Sequence, residues 1–173
     1  MTSTETPATR ETADLLETMD RHRSFLRYTV RDLTDEQAAR RATASELCLG
    51  GLIKHMAAGE RQWTRFITEG PSAMGPYDEE TLADWSAGFR MLEGETLAGL
   101  LADYAQVAGQ TAALVVALPD LDATQPLPEA PWFESGATWS ARRVLLHLIA
   151  ETAQHAGHAD ILRESLDGAK TMG

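Results

Sequence analysis

The stretch ETAQHAGHAD, residues 151–160, sets Glu151, His155 and His158 within three turns of an otherwise apolar segment. A helix turns about 100° per residue, so Val144, His147, Leu148, Glu151, His155, His158 and Leu162 share roughly one third of its circumference. Glu151 and His155 are spaced i, i+4, which lets their heads converge. The leucines and valine on that face mark it as the core side, and a carboxylate there is costly unless something pairs it. Three arrangements would do so: a rim salt bridge to Arg142 or Arg61, a buried Glu–His hydrogen bond, or a metal ion bound by both groups.

A second stretch, CLGGLIKHMAAGERQW, bears on the choice. His55 shares a helical face with Cys48, Leu52, Met56, Trp63 and Phe66, and could face the Glu151–His155 pair across a helical bundle. Gly59, one turn on, leaves room beside the imidazole. Two imidazoles and one carboxylate suit zinc, and equally a ferrous or nickel ion. Three protein ligands leave coordination positions open, as catalytic rather than structural sites do. Cys48 lies about two turns from His55, beyond hydrogen-bond reach on one helix, and reads as a small buried core residue rather than a nucleophile.

Long helices must position these groups. Leu15, Leu16, Met19, Phe25, Leu26 and Val30 recur at helical spacing through a first segment, Glu11 to Asp32. Thr34 or Asp35 caps a short helix after it. The second long segment runs from near Ser45 to Thr68 and stops at Gly70-Pro71. A loop, PSAMGPYDEE, and a short helical piece over Thr81–Gly88 lead to the third, Glu95 to Leu118. Pro119, Pro126, Pro128 and Pro131 then punctuate a loop of about twenty residues with little periodicity, a length that is uncommon and often functional. The fourth segment opens with Thr138 or Ser140 as cap and runs to Leu166, with Gly168 beyond. Strand signals are almost absent. The expectation is an all-α, four-helix-bundle domain over residues 1–173, with a long loop between helices three and four and a flexible N-terminus of about nine residues.

Composition narrows the function. A net charge of −11 leaves no basic surplus to neutralise phosphates, so nucleic acid is not an expected partner. No apolar run is expected to span a bilayer, and MTSTETPATRETADLL lacks the basic start and apolar block of a secretory signal. One cysteine excludes an internal disulfide framework and fits a cytoplasmic setting.

GLIKHMAAGERQW and TWSARRVLLHLIAETAQHAGHADILRE together resemble the DinB-like superfamily of metal-binding four-helix bundles, in its actinobacterial mycothiol-dependent branch. The resemblance follows helix order over nearly the whole chain. It implies a metal triad of one histidine from helix two and an i, i+4 pair on helix four, with a glycine two residues after the second member. His55, Glu151 and His155, followed by Gly157, fall on those positions. Many members have histidine where Glu151 stands; glutamate there is similar to the mycothiol-dependent maleylpyruvate isomerase. His158 falls where others often carry glutamine and is not carried over as a ligand. That isomerase has a further C-terminal domain that contributes to its active site, so its reaction is not carried over.

The function expected is a divalent-metal-dependent thiol transferase. A metal's open position, zinc first and nickel or iron after it, would deprotonate a small thiol such as mycothiol for attack on an electrophile. Trp132, Phe133 and Trp139 could wall the electrophile. His158 could act as catalytic base or as partner to a ligand, while His147 reads as structural. Arg142, Arg143 or Arg163 could hold carboxylates, although solvated arginine is the simpler reading of each. The alternatives are a metal-dependent hydrolase of small esters or amides, and a metal-binding stress protein without turnover. A homodimer is compatible with all three.

Overall fold

The computed structural model describes residues 9–75 and 86–171. The expected flexible N-terminus and most of the helical piece at 81–88 lie outside the described residues. What is described is mostly helical, as the periodicity predicts, and side-chain caps set where the helices begin.

Helix α1 (Arg10–Thr29) starts where the Thr9 hydroxyl accepts the Thr12 N–H. It ends three residues before the expected Asp32. There the Arg163 guanidinium gathers the carbonyls of Thr29 (2.7 Å) and Arg31 (2.8 Å). Helix α2 (Asp35–Ala39) carries a capping box, with Thr34 and Gln37 each bonding the other's backbone N–H. Helix α3 (Leu49–Glu69) begins later than Ser45 because Cys48 occupies its N-cap, its sulfur accepting the Gly51 N–H at 3.4 Å. Gly70, at φ 68°, closes α3 and opens a 3₁₀ turn, Gly70–Ala73. Helix α4 (Leu97–Ala117) is capped by Thr96, and helix α5 (Ala141–Asp167) by Ser140, with left-handed Gly168 at its end.

One element departs from the all-helical expectation. Strands β1 (Thr124–Pro126) and β2 (Thr138–Ser140) pair antiparallel, in the register Thr124↔Ser140, Gln125↔Trp139 and Pro126↔Thr138. The ribbon pinches the long loop shut directly before α5. Gln125 also donates to the Ile67 carbonyl at 3.2 Å, which docks the ribbon on the end of α3.

The long helices pack α1 against α5, α5 against α3, and α3 against α4, with α1 and α4 also in contact. Two apolar clusters result. One gathers Leu26, Leu52, Met56, Val107, Ala156 and Leu162; the other gathers Met19, Phe66, Val115, Val144, Leu145 and Leu148. Between them each long helix contributes a buried polar residue: Arg23 from α1, Glu60 from α3, Thr111 from α4 and Thr152 from α5. Arg23 donates twice to the Glu60 carboxylate (3.1 and 2.5 Å), and Thr111 donates to the same carboxylate at 2.5 Å. Pairing and full hydrogen bonding make burial of these charges tolerable.

The expectation that no segment reaches spanning length needs correction. By length and composition α4 alone, among the described residues, is long and apolar enough to cross a membrane. Its buried residues, Leu97, Tyr104, Val107, Thr111 and Val115, are those that face the other helices.

Candidate metal centre

His55 comes from the second turn of α3, and Glu151 and His155 from the middle of α5. The contact between these two helices brings them together. One donor atom from each lies within 4.8 Å of the others. His155 Nε2 stands 3.7 Å from Glu151 Oε2, and the rings of His55 and His155 meet edge to face at 5.0 Å. Burial lowers the His55 pKa to about 4, with His155 adding to the effect and Glu151 opposing it. The ring is therefore neutral at pH 7 and offers a lone pair. Glu151 is held below the usual carboxylate range, first by its contact with His155, so it is charged. Two imidazoles and a carboxylate are a donor set for a divalent ion. Bond lengths of about 2.0–2.2 Å would require each donor to move inward by less than about 1 Å.

Glu151 has neither of the arginine partners considered for it. Arg142 is engaged with Glu11 and Asp122, and Arg61 with Asp103 at 2.6 Å. His158 sits against the far edge of His155, Nδ1 to Nδ1 at 3.5 Å. His155 thus turns Nε2 towards Glu151 and Nδ1 towards His158, the geometry of an imidazole oriented from behind. His158 does not line the cavity beside the cluster.

That cavity measures about 580 Å³ and reaches from His55, Glu151 and His155 past Gly59, Met56 and Leu148 to Trp132 and Phe133. Phe89 stacks on His55 with ring centroids 3.9 Å apart. Its backbone lies so close to α3 that a Cβ at Gly51 would stand 1.9 Å from the Phe89 oxygen. Cys48 donates its thiol to that same oxygen at 3.8 Å. Cys48 is therefore buried, as expected, and also ties down the segment that covers a candidate ligand. Gly59 has open space where a Cβ would project, which fits the room expected beside His55; so does Gly157, although it is exposed.

The sequence profile described as Mycothiol-S-transferase matches residues 14–168. The chain belongs to that family. No curated protein matches it. The match takes in all the residues of the cluster, and the mycothiol-S-transferase family implies a thiol substrate.

For a mycothiol-S-transferase family member, the aromatic wall is as informative as the cluster. Trp132 and Phe133 line the cavity as expected; Trp139 instead backs it, stacked on Trp63 at 4.8 Å and 15°. His147 lines the cavity too, edge-on to Trp63 and Trp139, with its pKa lowered by burial. The structural reading of His147 thus misses a cavity residue, although its place one turn before Glu151 signals it. Phe89 and Trp63 are likewise cavity residues to which no chemistry is assigned from sequence. Of the arginines proposed to hold carboxylates, none lines the cavity. Arg163 is buried against backbone carbonyls and Asp167, Arg142 is engaged in ion pairs, and Arg143 lies over the Trp139 ring at 5.0 Å.

Proposed function

We propose that this protein is a divalent-metal-dependent S-transferase that joins mycothiol to an electrophilic small molecule. The convergence of His55, Glu151 and His155 at one end of an aromatic cavity carries the reading; family membership supports the thiol. His55, Glu151 and His155 would hold the ion, zinc by preference. A divalent ion there supplies an open position at which a small thiol loses its proton near neutral pH.

The protein's own groups do the rest. Burial keeps His55 neutral and ready to donate a lone pair. Glu151 brings one negative charge, which lowers the cost of a cation between two helices. With Nε2 of His155 on the ion, its Nδ1 would carry the proton and His158, at 3.5 Å, would accept it, hold the ring's orientation and raise its basicity; we assign His158 this positioning role rather than that of a base. Phe89, Trp63 and Phe133 exclude water from the side the electrophile approaches. In the transfer the thiol proton goes to solvent and sulfur bonds to the electrophilic carbon. The leaving group, where there is one, departs with its bonding electron pair. We read the four long helices as one DinB-like four-helix-bundle domain, working in the cytoplasm.

The test compares metal-free and metal-loaded protein with mycothiol, glutathione or no thiol, against chloronitroaromatic, epoxide and ester substrates. Turnover that requires both metal and thiol is expected, and Cys48→Ser should leave it intact. Ester cleavage at an unchanged rate without thiol would replace the transferase by a hydrolase. Tight metal binding with no turnover of any substrate would favour a metal-binding protein.

A further inference from the structure

The cavity wall bears on which electrophile is taken, an inference that rests on the thiol-transfer reading above. Apart from the three cluster residues, the lining side chains are aromatic, apolar or uncharged. Among the described residues no lysine or arginine lines it. The cations of α3 are turned to other partners: Lys54 to Glu95, Arg61 to Asp103 and Arg65 to Glu69. Arg143 lies over the Trp139 ring, and Trp139 is the back layer of the wall. Residues 76–85, outside the described set, include Asp78, Glu79, Glu80 and Asp84 and no basic residue.

The aromatic groups form one connected surface. The Trp63–Trp139 stack meets Phe133 edge-on at 5.9 Å from Trp139, and Phe133 meets Trp132 edge-on at 6.2 Å. Trp132 lines the cavity yet leaves 59% of its surface in water, so a flat apolar ligand would gain by covering it. A carboxylate placed against the same surface would lose its water and find no lysine or arginine among the described lining residues in exchange.

We infer that the second substrate is an uncharged aromatic electrophile, held against Trp132, Phe133 and Trp63, and that electrophiles bearing a carboxylate are excluded because no lysine or arginine among the described residues lines the wall. Affinity comes from area and ring geometry, and selectivity from the unpaired charge a wrong ligand would bury. Gln62 marks where the selectivity could be reversed. It is exposed, lines the cavity, and uses its amide nitrogen to bond the Met74 carbonyl at 3.1 Å.

A matched pair of unreactive probes tests this: 3,5-dinitrobenzamide and 3,5-dinitrobenzoate, alike in shape and different in charge. Calorimetric titration is run on metal-free protein and on metal-loaded protein with saturating thiol. The amide is expected to bind at least ~10-fold more tightly in both states. Trp132→Ala should weaken the amide by ~2- to 10-fold, the worth of one aromatic contact, with metal content unchanged. Gln62→Arg should narrow the preference by improving benzoate binding. Equal binding of the two probes would overturn the inference. So would a preference confined to metal-free protein, because Glu151 alone would then be repelling the anion.

Turnover is followed with 4-chloro-3,5-dinitrobenzamide and the corresponding benzoate. Sulfur bonds to the ring carbon, chloride leaves with the C–Cl electron pair, and the thiol proton goes to buffer. Selective binding of the amide without transfer would sink the transferase reading and leave this one standing. Transfer to both chlorides at the same rate relative to background would do the reverse.

Discussion

Gly51→Ala and Gly109→Ala are the same substitution inside two helices of equal length, and the structure gives them opposite signs. At Gly51 the new Cβ would stand 1.9 Å from the Phe89 oxygen, 2.3 Å from its carbonyl carbon and 2.9 Å from the Arg90 nitrogen. These are backbone atoms and cannot rotate away, so the segment must retreat by more than about 1 Å. Overpacking of this kind costs about 1–3 kcal/mol. Losing the Phe89–His55 stack, now at 3.9 Å, adds about 0.5–1.5 kcal/mol. The gain in helix propensity returns about 0.5–1 kcal/mol. The net is a loss of about 2 kcal/mol, or about 4–8 °C in Tm for a chain of this size. Nothing lies within 4 Å of a Cβ at Gly109, so that variant keeps only the propensity gain and should melt about 1–3 °C higher. Thermal unfolding by circular dichroism, with urea titration for the free energies, measures both. If Gly51→Ala is as stable as Gly109→Ala, the Phe89 segment does not rest on α3 and the account of how His55 is covered fails.

Three further outcomes follow from the site and the core. Glu151→Gln replaces a charged donor by a neutral amide and should weaken metal binding by more than about tenfold; unchanged affinity by competitive chelator titration would reduce Glu151 to an ion-pair partner. His55 titrates near 4 in the folded chain against an ordinary 6.5, so on acidification the unfolded chain takes up the proton first. Stability of the metal-free protein is then complete above pH 6.5 and falls between 6.5 and 4, by up to about 3 kcal/mol before solvent screening. Urea titrations across that range should show the slope, and His55→Asn should flatten it; an equal slope in both proteins would clear His55 of it. Glu60→Ala leaves the buried Arg23 guanidinium with the exposed Asp20 carboxylate at 2.6 Å as its remaining ion-pair partner and should cost up to about 3–5 kcal/mol, whereas replacing both residues by apolar ones should recover most of it; a cost below about 1 kcal/mol for the single variant would mean that Asp20 or water satisfies Arg23.

What the sequence disclosed follows the range of the forces involved. Helix starts rest on local contacts, so Thr34 and Ser140 announce them within three residues. The i, i+4 spacing of Glu151 and His155 is likewise local, and His55 joins them through an apolar face that had to meet another. The ribbon was not legible: Thr-Gln-Pro is too short to show a period of two, and its pairing with Thr-Trp-Ser closes over the eleven residues between them. Nor was the Arg23–Glu60 pair, 37 residues apart, since both sit among polar neighbours and read as solvated. Phe89 has no periodic context. Only the two glycines at the start of α3 hint that something approaches there.

The β1–β2 ribbon has a consequence for how this scaffold can diversify. It clamps the two ends of residues 127–137 beside the N-cap of α5, and the Leu127 N–H reaches the Ala137 carbonyl at 2.8 Å. Trp132 and Phe133 lie inside that closed interval; His147, Glu151, His155 and His158 lie outside it, on a helix whose first turn is already anchored by the Ala141 and Arg142 N–H groups to Ala123 and Leu121. Changes of length or sequence between the paired strands are expected to be taken up at the clamp and to leave the α5 residues in place. The loop behaves as an exchangeable cassette, and libraries confined to residues 128–136 are the natural place to seek new specificities in this chain.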